Sequence, residues 1–145
     1  MATVKPTCGQ LERSLSQAIQ AFYRDHLGQQ PSQVTCQLFA NQVAVVIENS
    51  ITPTEQVLAQ DGKEQFAKQV RMELNDVTQP QLQQIIADVL GVQVLDLLSD
   101  ATLETSRTGV IAVLETTPDV RNPQAIPKAP KQSSSNPSPR TPPAS

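Results

Sequence analysis

The chain predicts an α+β fold in the order helix, hairpin, helices, hairpin, with the helices packed on one face of a mainly antiparallel four-stranded sheet. Three observations carry this expectation. Strand-like patterns come in two pairs, and the connection inside each pair is too short for the helical crossover that parallel neighbours require. Helical stripes precede the first pair and separate it from the second. The joint between them, Asn49-Ser50-Ile51-Thr52-Pro53-Thr54-Glu55-Gln56-Val57-Leu58, hands a strand over to a well-capped helix. Thr52 is placed to cap free backbone N–H groups, Pro53 stands where a missing N–H costs nothing, and Glu55 can close a capping box.

Leu11, Leu15, Ile19 and Phe22 recur at spacings of four, four and three, one apolar stripe on a helix from about Gly9 to His26 with Gly28 as its stop. After Pro31, the alternation of Val34, Cys36 and Leu38 with Gln33, Thr35 and Gln37 reads as a strand with one wet face. Ala40-Asn41-Gln42 turns into a second strand, Val43 to Glu48, whose consecutive apolar positions predict cover on both faces.

The capped helix begins at Pro53. Asp61-Gly62 either breaks it or sits within one longer helix at a cost of about 1 kcal/mol. Phe66, Val70 and Leu74, four apart, form a further stripe and predict a buried Leu74. Pro80 is expected to start another helix, with Leu82, Ile85, Ile86 and Val89 inward and Gly91 at its end. Val92 to Leu98 reads as a strand, Asp100 to Thr108 as a polar loop, and Gly109 to Leu114 as the last strand.

These patterns divide the chain into a flexible N-terminus (1–8), one α+β domain (9–117) and a Pro/Ser-rich tail (118–145) that is too polar to order itself. Eight of the 12 prolines lie in that tail, which predicts that its removal leaves the melting temperature nearly unchanged. It also contains the P-x-x-P spacings Pro127 to Pro130 and Pro139 to Pro142. The foldable part, about 115 residues, can bury about two-thirds of its unfolded surface in one core.

The net charge of −3 conceals an asymmetry. Arg121, Lys128, Lys131 and Arg140 against Asp119 give the tail +3, so residues 1–117 carry −6. An acidic body with one Tyr and three Phe is a poor match for phosphate backbones and for base stacking, which argues against nucleic acid as a partner. Met1-Ala2-Thr3-Val4-Lys5-Pro6 has no apolar signal region, and the longest clean apolar run, Val43 to Ile47, is far shorter than a bilayer span. A cytoplasmic protein without direct membrane insertion is expected. In a reducing compartment, Cys8 and Cys36 stay thiols.

No catalytic constellation stands out. Cys36, on the apolar side of its strand, reads as a small buried hydrophobe. Cys8 lies near the positive end of the first helix, which would lower its pKa, yet no base is near it, and an exposed inert thiol is expected. His26, the single histidine, falls in the last helical turn, where a cation suits the dipole. Five scattered glycines form neither a P-loop nor a dinucleotide fingerprint, and no ligand set for a metal or cofactor can be assembled. Asp96 and Asp100 read as a solvated face or loop. Three residues stand out as interaction or structural positions: Thr52 and Glu55 as the cap, and Arg71, beside the Val70 stripe. Arg71 either pairs with an acid such as Glu48 or Glu73 or presents a binding surface.

Several features also occur in a characteristic order. They are Phe22-Tyr23-Arg24-Asp25-His26-Leu27-Gly28-Gln29-Gln30-Pro31-Ser32-Gln33-Val34, the strand Val43 to Ile47, the Ile51 to Leu58 joint, Arg71, and the step Leu90-Gly91-Val92-Gln93-Val94. From about Gly9 to Glu115 the chain thereby resembles the MpsC-like family, formerly a domain of unknown function, named after the third component of a sodium-translocating, membrane-potential-generating system. The resemblance implies a non-enzymatic cytosolic accessory or regulatory protein of membrane ion (Na+) or linked inorganic-carbon transport, peripheral at the inner face of the membrane, with membrane transporter subunits as partners. It supplies no active-site residues. The alternative is a self-associating cytosolic binding or adaptor module without a transport role, and a homo-oligomer is compatible with either. An enzyme would require paired catalytic groups that the sequence lacks.

Overall fold

Thr7 opens the first helix. Its hydroxyl accepts the Gln10 N–H while the Gln10 side chain accepts the Thr7 N–H, a capping box written in the sequence as Thr-x-x-Gln. The computed structural model describes residues 5–128. Within it, α1 (Cys8–Phe22) turns Cys8, Leu11, Leu15, Ile19 and Phe22 inward, so the helix starts one residue before the expected Gly9 and the stripe gains Cys8, one turn before Leu11. A π-turn, Tyr23–Leu27, continues the helix and closes on Gly28, which adopts the left-handed conformation (φ 67°) that a glycine takes without strain.

The hairpin of β1 (Gln33–Phe39) and β2 (Gln42–Glu48) runs from the pair Gln33–Glu48 to the pair Phe39–Gln42. Strand β1 alternates as expected. In β2 the expectation of cover on both faces fails: Val43, Val45 and Ile47 are buried, whereas Val46 is 42% exposed. The helices contact one side of the sheet, and the other side is open among the described residues.

Helix α2 (Pro53–Gln60) starts as expected and ends before Gly62 (φ 78°), so Asp61-Gly62 is a break. Helix α3 (Glu64–Leu90) is one continuous helix with Pro80 inside it, not a helix that starts at Pro80. A proline there removes one ladder bond and costs about 3 kcal/mol. A single buried line through Ala67, Arg71, Leu82, Ile86 and Leu90 offsets this, and the Gln79 and Gln83 amides reach the Leu97 and Val94 carbonyls at 2.8 and 3.3 Å. The stripe Phe66, Val70, Leu74 is a second departure. Phe66 is 56% exposed and Leu74 half-buried, because the helix is rolled to bury Ala67 and Arg71 instead. Periodicity locates an apolar face, but a buried carboxylate waiting for Arg71 decides which face turns in.

Strands β3 (Val94–Thr102) and β4 (Arg107–Leu114) extend into the expected Asp100–Thr108 loop, which shrinks to a turn. The sheet is antiparallel throughout, in the order β1-β2-β4-β3. The fold class is therefore α+β, as the sequence predicts.

Both domain boundaries shift. Cys8, assigned to a flexible N-terminus, begins α1, and the Pro6 carbonyl accepts the Arg121 N–H at 2.8 Å. Residues 118–128, assigned to the disordered tail, pack on the domain. Val120 and Ile126 are buried on either side of a 3₁₀ turn, Pro123–Ala125, and the Pro127 carbonyl accepts the Ala40 N–H at 2.6 Å. Two apolar side chains thus outweigh the polar composition around them. The rest of the expected tail, 129–145, with Pro130, Pro139 and Pro142, lies outside the described residues, as do residues 1–4.

Ile86→Ala is expected to lower unfolding free energy by about 2–5 kcal/mol, and Leu74→Ala by less than half as much; denaturant titration of the two variants checks the roll of α3. A chain ended after Thr117 is expected to melt well below one ended after Lys128, because each buried aliphatic side chain contributes about 1.5–3 kcal/mol.

Candidate functional site

The capped joint and the middle of α3 meet in a buried ion pair. Thr52 holds extended backbone at the N-cap of α2, its hydroxyl accepting the Glu55 N–H at 3.4 Å. The Glu55 carboxylate turns back, and Oε1 accepts both the Thr52 N–H (3.1 Å) and the Thr52 hydroxyl (2.8 Å). Glu55 is nevertheless fully buried, so the cap alone does not account for it. Arg71 comes across from α3 as a fork, Nε to Oε2 and Nη2 to Oε1, both at 2.7 Å. Two parallel charge-assisted bonds match a guanidinium to a carboxylate in a way no lysine can.

The structure therefore brings together all three singled-out residues, Thr52, Glu55 and Arg71. Neither acid expected for Arg71 is its partner: Glu48 pairs with Arg107 at 2.8 Å on the surface, and Glu73 is exposed on the far side of the helix. Taking both ions out of water costs several kcal/mol per ion, which only good geometry and further hydrogen bonds can return. Those bonds are present. Arg71 Nη2 also reaches the Ser50 carbonyl at 3.4 Å, and Nη1 reaches Asn75 Oδ1, one helical turn on, at 3.5 Å.

A second ring of polar groups surrounds the pair. Asn49 and Ser106 take positive φ (57° and 59°), turning the chain so that Ser50 N–H meets the Ser106 carbonyl at 2.9 Å and Ile51 N–H meets Ser106 Oγ at 3.1 Å. Ser50 and Thr108 hydroxyls lie 2.7 Å apart, both buried. Tyr23, at the start of the π-turn, is buried on a third side of the cluster. Burial pushes its phenol above its ordinary value, against the opposing pull of the Arg71 charge and the nearby Thr108 hydroxyl. Sequence reasoning did not find Tyr23, Ser50, Asn75, Ser106 or Thr108. Asn75 was within reach, being four residues after Arg71 on one helix face; Thr108 was not, because nothing local ties it to Ser50.

The arrangement fixes four segments to one another and leaves the charges spent on each other. Arg71 also forms part of one wall of a cleft of about 390 Å³, with Lys68, Met72 and Asn75 beside it and Asp100 and Glu104 across it. Among the described residues, no group of three or more His, Cys, Asp or Glu side chains could hold a metal ion.

The remaining candidates lie elsewhere. His26 is exposed beside the Phe22 ring, 5.1 Å between centroids. Cys36 is buried with the Ser16 hydroxyl 3.4 Å from its sulfur, and burial pushes the thiol up to about 11. Cys8 is buried, not exposed. Its thiol contacts Glu12 Oε2 at 3.6 Å, and burial followed by the Glu12 charge moves its pKa up, opposite to the helix-end expectation. The helix dipole yields to desolvation and a nearby anion.

The family model described as "Na+-translocating membrane potential-generating system (MpsC)" matches residues 7–116, about three-quarters of the chain. The chain belongs to the MpsC family. The match starts at the Thr7 cap and ends two residues beyond β4, so it spans all three α-helices, the whole sheet and the buried Glu55–Arg71 pair, while the docked residues 118–128 fall outside it. No curated protein and no solved structure matches the chain. No described helix of this MpsC-family chain is long and apolar enough to cross a membrane.

Arg71→Met is expected to cost about 3–5 kcal/mol, because it strands a buried carboxylate, and the double variant Glu55→Met/Arg71→Met is expected to recover much of that loss; a double-mutant cycle in denaturant measures the coupling. The Cys36 shift also carries a sign. The folded state retains the Cys36 proton above the ordinary value of 9.0, so stability falls as pH rises from about 9 to about 11, by about 2–3 kcal/mol. Cys36→Ala is expected to flatten that part of the stability–pH curve.

Proposed function

We propose that this protein is a non-enzymatic accessory or regulatory component of a Na+-linked, membrane-potential-generating transport system, acting by contact with the membrane subunits that carry the ion. Family membership carries the reading, since the family takes its name from such a system. Its location under this reading is the cytoplasm, at the inner face of the membrane. Coupling to inorganic-carbon transport is a finer form of the same proposal.

A non-enzymatic role is favoured by how the ionisable groups are used. General acid–base catalysis requires a proton donor or acceptor free to act on a substrate. Here the buried carboxylate already has four hydrogen bonds, from Thr52 and Arg71, and burial moves the pKa of both thiols upward, away from the reactive thiolate. Both charges of the central site are committed to holding segments in place, as suits a rigid docking module.

Mild crosslinking in native cells, detergent solubilisation and affinity recovery of the tagged full chain, read by mass spectrometry, tests the proposal. Recovery of a polytopic ion-translocating protein, lost when the tag is carried by an unrelated cytosolic protein, is the expected outcome. Recovery of soluble proteins alone would overturn it.

A further inference from the structure

The open face of the sheet has the layout of an interface. Cross-strand register arranges its side chains in four rows: Gln33–Glu48–Arg107–Thr102, Thr35–Val46–Gly109–Asp100, Gln37–Ala44–Ile111–Leu98, and Phe39–Gln42–Val113–Asp96. Apolar groups run in a band across it. Val46 and Ile111 on the central strands, with Leu98 on β3 and Phe39 at the β1 corner, are between 37% and 61% exposed, and polar and charged side chains hold the other outer-strand positions. An apolar centre with a polar rim is the usual anatomy of a recognition surface. The sheet edges, by contrast, are blunted. Glu12 accepts the Leu38 N–H on β1 and the Pro127 carbonyl accepts the Ala40 N–H in the turn just after it, while Gln79 and Gln83 cover the Leu97 and Val94 carbonyls on β3.

We propose that a second copy of this chain covers the open face, sheet on sheet, about a two-fold axis that runs parallel to the strands between β2 and β4. Such an axis lays β2 of one protomer over β4 of the other and keeps each row facing itself. Val46 then meets Gly109, twice. Gly109 has no positive φ to explain it, a side chain there would meet nothing within 4 Å, and it lies in a hollow of about 440 Å³ lined also by Val46, Asp100, Thr102 and Arg107. Glu48 meets Arg107 in the same arrangement, so that the two surface ion pairs join into an alternating cluster of four charges. Thr35 lies over Asp100, and the β3 carboxylates of the two copies fall on opposite sides of the axis.

The perpendicular two-fold is disfavoured by charge, since it stacks β3 on β3 and gathers the Asp96 and Asp100 carboxylates of both copies along one seam. Area sets the strength of the pairing. Four strands about 4.8 Å apart and seven residues rising about 3.3 Å each give about 440 Å² in projection. That is about half the roughly 800 Å² per partner of a standard interface, so the dimer is expected to be weak and to form with rising concentration. Facing sheets in such a pair lie about 10 Å apart with their side chains interdigitated. The inference goes beyond the proposed function and does not depend on it.

Sedimentation equilibrium of the full chain is expected to approach twice the 15.7 kDa chain mass as concentration rises. Ile111→Lys, at a solvent-facing position, is expected to weaken the dimer at least tenfold while the melting temperature of the dilute monomer stays unchanged. For the register, a Val46→Cys chain is mixed with a Gly109→Cys chain and treated with a short bifunctional thiol crosslinker, because backbones about 10 Å apart are too far for a direct disulfide. The mixed crosslink should form in preference to either self-linked species. A monomer at all concentrations, a dimer indifferent to Ile111→Lys, or crosslinking without preference for the mixed pair would each overturn the proposal.

Discussion

The forked Glu55–Arg71 pair is the constraint around which the helical layer is arranged. A carboxylate that is fully buried at the first turn of α2 cannot stay charged without a partner, and the partner comes from the middle of α3, 16 residues later. That requirement sets the roll of α3, with Arg71 turned in and Phe66 turned out. The roll in turn places Leu82, Ile86 and Leu90 over the sheet and aims Gln79 and Gln83 at the β3 backbone. Breaking one partner of such a pair is far costlier than the pair is stabilising. Its two parallel bonds tie one orientation of α3 to the start of α2.

The same pair explains why the surrounding loops are ordered. Ser50, Ser106 and Thr108 bond to one another at the ends of β2 and β4, and the Ser50 carbonyl takes a third contact from Arg71. Tyr23, four residues after Ile19 on the same inward face, is buried beside this cluster at the start of the π-turn. A hydrogen-bonded polar network rigidifies what it joins, and this one joins α2, α3 and the ends of both central strands.

How far the sequence could be read depended on whether the deciding interaction was local. Caps, glycine stops and strand alternation are local, and Thr52, Glu55, Gly28, Gly91 and the Val34-Cys36-Leu38 alternation were all legible. The errors arose where a distant group decided. Val43 to Ile47 reads as doubly covered, but the helices contact one side of the sheet. Phe66-Val70-Leu74 reads as core, but Arg71 claims the inner face. Pro80 reads as a start, but packing on both sides carries the helix through it. The tail reads as disordered from Pro118, but Val120 and Ile126 find places in the core. Of the site, Thr52, Glu55 and Arg71 were legible as residues that matter, while their mutual contact was not, because no local pattern states which acid an arginine will meet.

Rigidity and an open face belong to one argument. A sheet covered on one side must leave its second face compatible with water or give it to a partner, and the exposed Leu98, Ile111 and Val46 are poor water-facing choices beside the Thr and Gln residues of β1. The Gln and Thr side chains of that face lie on β1 and its carboxylates on β3, the two outermost strands, while Val46 and Ile111 stand on β2 and β4 with Leu98 beside them on β3. Glu48 and Arg107 stand at one end of β2 and β4, and Gly109 opens a hollow beside Val46. The Glu55–Arg71 network anchors the very ends of β2 and β4, through Ser50 and Thr108. The two strands that carry Val46 and Ile111 are therefore the two that the buried ion pair holds in fixed register, and a surface preorganised in this way loses less entropy when it is covered.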